Sequence, residues 1–153
     1  MTTETARTAA LDPELQRIVT DWCREEGVRL CLLFGSRAMG RAHAGSDVDL
    51  AAWPAVPGSI PDARTRMDWI GELTLRIEPD VNLVVVTPEL DPVLGMEIAR
   101  HGRVLYESEE NLWAWERLRL WHLFNDALPF LRRQPEDLRR YAEAVGRGEI
   151  PKR

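Results

Sequence analysis

The sequence predicts a small α/β domain, of the α+β kind, followed by a helical extension. Short apolar runs of strand length alternate with stretches of helical period, and Pro or Gly marks nearly every junction between them. After Glu107 the pattern becomes wholly helical and rich in tryptophan. A chain of 153 residues holds one compact domain and leaves no room for a second full one, and its 44% hydrophobic content suits a globular core.

The elements follow in order. Residues 1–10 are polar, rich in Thr and Ala, and read as a flexible N-terminus with no apolar export segment. Asp12-Pro13 supplies an N-cap and a first-turn proline for a helix with Leu15, Ile18, Val19, Trp22 and Cys23 on one face, and Gly27 ends it. Leu30 to Phe34 reads as a buried strand, Gly35-Ser36 as the turn leaving it, and Asp47 to Trp53 as the next strand. Pro54 to Pro61 is a loop. Ser59 with Asp62 resembles a capping box for a helix reaching about Ile77, with Met67, Ile70, Leu73 and Thr74 at helical spacing. A strand Val81 to Val86 stops at Pro88, Asp91-Pro92 starts another helix, Gly102 ends it, and Arg103 to Tyr106 forms a short last strand.

This gives a domain over residues 11–107, a helical extension packed on it over 108–146, and a tail over 147–153. In the extension Leu112, Trp113, Trp115, Leu118, Leu120, Trp121, Leu123 and Phe124 crowd one helix, more apolar surface than a single buried face uses. Trp113 or Trp121 is expected in the core, and some of the rest at a partner or self-association interface, including a possible homodimer. Pro129 should kink or end this helix, and a second one is expected from Pro135 to about Val145.

Bulk properties narrow the function. A formal charge of -5 and a pI near 5.3 argue against general nucleic-acid binding, which needs a basic phosphate-facing surface. No stretch approaches the length of a membrane span, so a cytoplasmic protein is expected. Cys23 and Cys31 lie in a predicted helix and a predicted strand without a Cys-x-x-Cys pair, so neither a zinc site nor a disulfide framework is expected.

The chemistry concentrates between the first two strands. Gly35-Ser36 is followed by ten residues and then Asp47-Val48-Asp49. Alternation along a strand puts Asp47 and Asp49 on one face, roughly 6.6 Å apart, with Val48 and Leu50 toward the core. Two carboxylates on one face repel unless a cation or arginines answer them. Magnesium is the natural answer, because it takes oxygen ligands and is usually shared between one or two carboxylates and a substrate's phosphates. Gly35 permits a close approach of backbone to phosphate, and the Ser36 hydroxyl can donate to it. Arg37 and Arg41, in the spacer, are further phosphate candidates, Arg37 ahead of Arg41. His43 lies in the same spacer and is read as a loop residue outside the site.

The run Phe34-Gly35-Ser36-Arg37-Ala38-Met39-Gly40-Arg41 through Ser46-Asp47-Val48-Asp49-Leu50 resembles the fingerprint of the minimal nucleotidyltransferases (MNT), relatives of the DNA polymerase beta superfamily. Ile98 to Glu107 is similar to the closing segment of these domains, so the resemblance covers about residues 12 to 107. It implies a nucleotidyltransferase fold with a small mixed sheet flanked by helices, two magnesium ions, and transfer of a nucleoside monophosphate from ATP or another NTP. It also implies nucleotide contacts at Gly35, Ser36, Arg37, Ser46 and Asn82.

The family's third acid comes from a neighbouring strand, and here Asn82 stands where that acid is expected. An amide oxygen can coordinate magnesium but cannot take a proton. Asp80, two residues earlier, is therefore the expected third ligand beside Asp47 and Asp49, with Asn82 next to it. The family implies an adenylyltransferase antitoxin acting on a hydroxyl of a HEPN-type helical toxin. A small-molecule transferase like the aminoglycoside-modifying relatives is an alternative, although the segment after Glu107 is short for an acceptor pocket. A non-catalytic partner that binds a protein or nucleotide is the other, and Asn82 is what favours it.

Overall fold

The computed structural model describes residues 11–41 and 45–133, with Arg139 and Glu143. Helix α1 (Pro13–Glu26) leads into β1 (Leu30–Phe34), a one-turn α2 (Gly35–Ala38), β2 (Val48–Trp53), α3 (Ala63–Arg76), β3 (Val81–Val85), α4 (Pro92–His101), β4 (Arg103–Glu107) and α5 (Leu112–Arg133). The four strands make a mixed sheet in the order β3-β2-β1-β4, with β2 antiparallel to β1, β1 antiparallel to β4, and β3 parallel to β2.

Helices cover both faces. Strand β1 is buried along its whole length, and its side chains divide between two cores. Cys31 and Leu33, with Val48, Leu50 and Ala52, pack under Val19, Trp22 and Cys23 of α1 and Trp69 and Leu73 of α3. Leu30, Leu32 and Phe34, with Ala51 and Trp53, pack under Met96, Ile98 and Ala99 of α4 and Leu120 and Phe124 of α5. Each such aliphatic side chain contributes about 1.5–3 kcal/mol on burial, so the continuous apolar run of β1 is the spine of the molecule. Helix α5 thus shares the second core with the sheet.

The predicted caps form. Asp12 accepts from the Glu14 amide at 3.0 Å, Asp91 from the Val93 amide at 3.0 Å, and Gly27 ends α1 in the left-handed region. Gly102 ends α4 because there is no room for a side chain, since a Cβ there would lie 2.8 Å from Leu32 Cδ1 and 2.6 Å from the Ile98 carbonyl.

Several expectations are corrected. The turn at Gly35-Ser36 is the first turn of a short helix, and β2 begins at Val48, one residue after Asp47. Asp62 alone caps α3, accepting from Thr65 at 2.8 Å, while Ser59 closes a tight turn onto the Val56 carbonyl. On α3 the inward residues are Trp69 and Leu73, and Met67 is 67% exposed. The aromatic ring dominates the choice of face: Trp69 stacks edge-on against Trp22 at 5.6 Å and donates to Glu26 at 2.9 Å. Pro129 does not end α5, which continues to Arg133 because Leu128 and Leu131, on either side of it, are anchored on the second core. Trp113 packs there against Trp53, whereas Trp115 and Trp121 stay 69% and 50% exposed. The helix expected from Pro135 to Val145 lies outside the described residues apart from Arg139 and Glu143, and His43 lies outside them too. Among the described residues no helix is long and apolar enough to cross a membrane.

Candidate active site

Asp49 sits near the start of β2, opposite Phe34 in the β1–β2 ladder, so its side chain reaches the chain just as β1 turns into α2. Gly35 takes φ +73° there and is buried. A Cβ at that position would collide with the Asp49 carboxylate. The glycine is therefore required by Asp49 packing against the turn, a reason that the sequence motif alone does not disclose.

The spacer between turn and strand is tied back by the arginine that the motif contains. Arg37 donates through Nη2 and Nε to the Ser46 carbonyl at 2.6 and 3.1 Å, and through Nε to the Asp47 carbonyl at 3.2 Å. Its bonds go to the backbone that carries Asp47, which makes it a positioning residue. The Arg41 amide donates to the Ser36 carbonyl at 2.9 Å, while its guanidinium lies exposed against Met39 Sδ at 3.0 Å. Ser36 and Ser46 are partly exposed at the two ends of this loop.

Asp47 and Asp49 are brought together by a third strand. Parallel pairing sets Asn82 of β3 directly beside Asp49, and the Asn82 Nδ2 donates to Asp47 Oδ2 and to Asp49 Oδ1, both at 3.1 Å. A single nitrogen thus touches both carboxylates. Burial pushes the Asp49 carboxyl above its ordinary range, the Asn82 hydrogen bond pulls it back in part, and the neighbouring Asp47 charge raises it further. Asp80, the expected third acid, is exposed just before β3, and its carbonyl accepts from the Val48 amide at 2.8 Å. Among the described residues no cluster of three His, Cys, Asp or Glu side chains suited to a metal forms, so Asp80 is not drawn into a triad with Asp47 and Asp49.

One further residue lies beside this end of the sheet. His101 closes α4, which packs on α2, and it is held below its ordinary pKa first by burial and then by the charges of Arg41 and Arg100. Its sequence context, a helix C-terminus, gave no sign of this neighbourhood.

The donor set fits a hard divalent cation. Two carboxylate oxygens converge on one point at the end of the sheet where β2 begins, an amide lies between them, and among the described residues no arginine or histidine forms an ion pair with either acid. Oxygen ligands with two negative charges and an open side suit magnesium shared with phosphates.

The sequence profile of the family described as "Polymerase beta, Nucleotidyltransferase" matches residues 17–111, which include every residue of this site. The chain belongs to that family. No curated protein gives a significant match. Among solved structures, a chain of a toxin–antitoxin complex with AMP-PNP aligns with this chain at a TM-score of 0.69 and 20% identity, covering 80% of this chain and 97% of that one. A chain of the MntA–HepT toxin–antitoxin complex aligns at 0.64 and 17% identity, covering 81% and 96%. A chain of the complex of a tri-AMPylated Shewanella oneidensis HEPN toxin with its MNT antitoxin aligns at 0.55 and 20% identity, covering 78% and 94%. At these identities the likeness is one of fold, and it extends over nearly the whole of each neighbour.

Proposed function

We propose that this nucleotidyltransferase moves AMP from ATP to a hydroxyl group of a helical HEPN-type partner protein and so acts as the antitoxin of a pair. The observation that carries the proposal is the convergence of the Asp47 and Asp49 carboxylates on one point beside the Gly35-Ser36 turn. The toxin–antitoxin neighbours, one crystallised with AMP-PNP and one with an AMPylated toxin, support the donor and the partner.

In the reaction the acceptor oxygen attacks the α-phosphorus of ATP, a new P–O bond forms, the bond to the β-phosphate oxygen breaks, pyrophosphate leaves, and the hydroxyl proton is released. Magnesium held by Asp47 and Asp49 would polarise the phosphoryl oxygens and offset the charge that develops on them. The chain's own work is orientation. Gly35 gives Asp49 its place, Arg37 fixes the backbone of Ser46 and Asp47, and the Ser36 hydroxyl and neighbouring backbone amides would donate to phosphate oxygens. With two carboxylates and one amide, the protein's own ligands suit one ion, and a second depends on the nucleotide's phosphates. Asp80 is retained as an outer acid of the site. Comparing Asp80→Ala with Asn82→Ala in a turnover assay decides which position is needed.

The outer face of α5, with Trp115, Leu118 and Trp121 exposed, is the surface proposed to meet the partner. A second reading, binding without transfer, is favoured by Asn82, which supplies no negative charge where the family places an acid. The test is incorporation of α-labelled ATP with magnesium into a HEPN-type helical protein that co-purifies with this one. Label on that protein, lost with Asp47→Asn, establishes transfer. A stable complex without label from any of the four NTPs establishes the binding reading.

A further inference from the structure

We infer that Asn82 occupies the cation's place between Asp47 and Asp49, so that a divalent ion enters this site together with a nucleotide's phosphates and not alone. The inference rests on the nucleotidyltransfer reading and specifies what the site takes up: a metal–nucleotide complex as one unit.

The argument begins with hydrogen-bonding capacity. Ionised carboxylates only accept, so the end of the Asn82 amide that faces them is necessarily its –NH₂ group, which carries two hydrogens. The structure uses both, one to Asp47 Oδ2 and one to Asp49 Oδ1, each at 3.1 Å. These are the two oxygens that face each other, so a cation bridging the two acids through them would need the position that the amide nitrogen holds. The amide is held there by main-chain pairing, because Asn82 is registered directly against Asp49 in the parallel β2–β3 ladder and the Val48 amide is bonded to the Asp80 carbonyl just upstream. The strand cannot slide away, so a cation gains both oxygens only if the Asn82 side chain rotates and gives up two hydrogen bonds to charged acceptors.

A free aqueous magnesium ion has little to offer in exchange. It loses hydration reluctantly, and with Asn82 neutral the protein offers it two negative charges where a third acid would make three. A metal already bound to phosphates is different. Its remaining positions are partly filled by phosphate oxygens, and the phosphates themselves gain donors from Ser36 and the α2 amides. After rotation the Asn82 Oδ1 faces the ion and its –NH₂ faces away. The same neutral residue therefore holds the two carboxylates together at rest and makes cation binding conditional on the nucleotide.

Binding, not turnover, tests this. Mn²⁺ alone and, separately, the preformed Mn²⁺–AMP-PNP complex are titrated calorimetrically into the protein, for the wild type, Asn82→Asp and Asn82→Ala, with thermal melts to show that each variant is folded. The wild type is expected to bind Mn²⁺ at least about tenfold more weakly alone than with AMP-PNP. Asn82→Asp, which exchanges two donors for a charge, is expected to bind Mn²⁺ alone about 10- to 100-fold more tightly than the wild type. Asn82→Ala, which removes the competing donors without adding charge, is expected to bind free Mn²⁺ more tightly than the wild type by a few-fold. Wild type that binds free Mn²⁺ as tightly as Asn82→Asp, or Asn82→Ala that binds it more weakly than wild type, overturns the inference. A different failure, no AMP-PNP binding with Mn²⁺ to either wild type or Asn82→Asp, removes the nucleotidyltransfer reading itself and the inference with it.

Discussion

At one end of the β1–β2 ladder lies Glu116, at the other Asp47 and Asp49, all on the face that α4 and α5 cover. Glu116 is 5% exposed and fully answered: Arg29 Nη1 lies 3.2 Å from it, the Trp53 indole donates at 3.2 Å, and Arg119 stands 3.6 Å away. The aspartates carry twice the charge and, among the described residues, receive a side-chain hydrogen bond from a neutral amide alone. A buried acid matched by a fixed guanidinium is a structural element, since its charge is cancelled within the chain. An acid pair matched by a neutral donor keeps its field, and that field is available to something from outside.

The largest test of this contrast exchanges the roles. Asp49→Asn is expected to reduce AMP transfer by about 10³-fold or more, while Glu116→Gln leaves transfer within a few-fold of wild type at a temperature where both are folded. Equal losses from the two variants would dissolve the distinction between a structural and a functional acid. Stability should respond the other way. Glu116→Ala leaves Arg29 buried without its counter-charge and the Trp53 indole without its acceptor, so urea unfolding should show a loss of about 3–5 kcal/mol. A loss below about 1 kcal/mol would mean that water reaches Arg29 as readily as Glu116 does.

Gly35→Ala sharpens the comparison at the aspartate end. The added methyl meets the Asp49 carboxylate, and φ +73° is itself unfavourable for alanine. A destabilisation of about 1–3 kcal/mol is expected, together with a loss of transfer larger than that instability explains. If Gly35→Ala were stable but inactive, Asp49 would have moved aside, and the glycine's service would be to the carboxylate's position alone.

These residues differ in how far the sequence revealed them. The caps at Asp12, Asp62 and Asp91 and the Gly35, Asp47, Asp49 spacing were legible because each depends on neighbours a few residues away or on strand alternation. The double donation from Asn82 was not, because it depends on β3 pairing parallel to β2 with Asn82 exactly level with Asp49, a register between segments over thirty residues apart. The bonds from Arg37 to the Ser46 and Asp47 carbonyls were not legible either, because those carbonyls come within reach only when the spacer folds back. Likewise the choice of Trp69 over Met67 on α3 was decided by a tryptophan on another helix, Trp22, and the passage of α5 through Pro129 by contacts across the core. Local chemistry was readable, and tertiary register was not.

The smallest expected effect concerns pH, and it separates the two acidic regions once more. Burial, ahead of the repulsion from Asp47, holds the Asp49 carboxyl above its usual range despite the Asn82 hydrogen bond. The folded protein therefore binds this proton more tightly than the unfolded chain does. Between the ordinary carboxylate value of about 4 and the raised folded value, the native state carries more protons, so its stability falls as pH rises through that window and is level above it. Asp49→Asn removes the ionisation. The variant should gain in urea midpoint relative to wild type as pH climbs from about 4 to neutrality, without divalent cations present. Adding Mn²⁺ with AMP-PNP should reverse the order, because that complex stabilises only the ionised pair. A wild type that instead gains on the variant over the same range would show that hydrogen bonding from Asn82 outweighs burial, and that the aspartate pair is as well satisfied within the chain as Glu116 is.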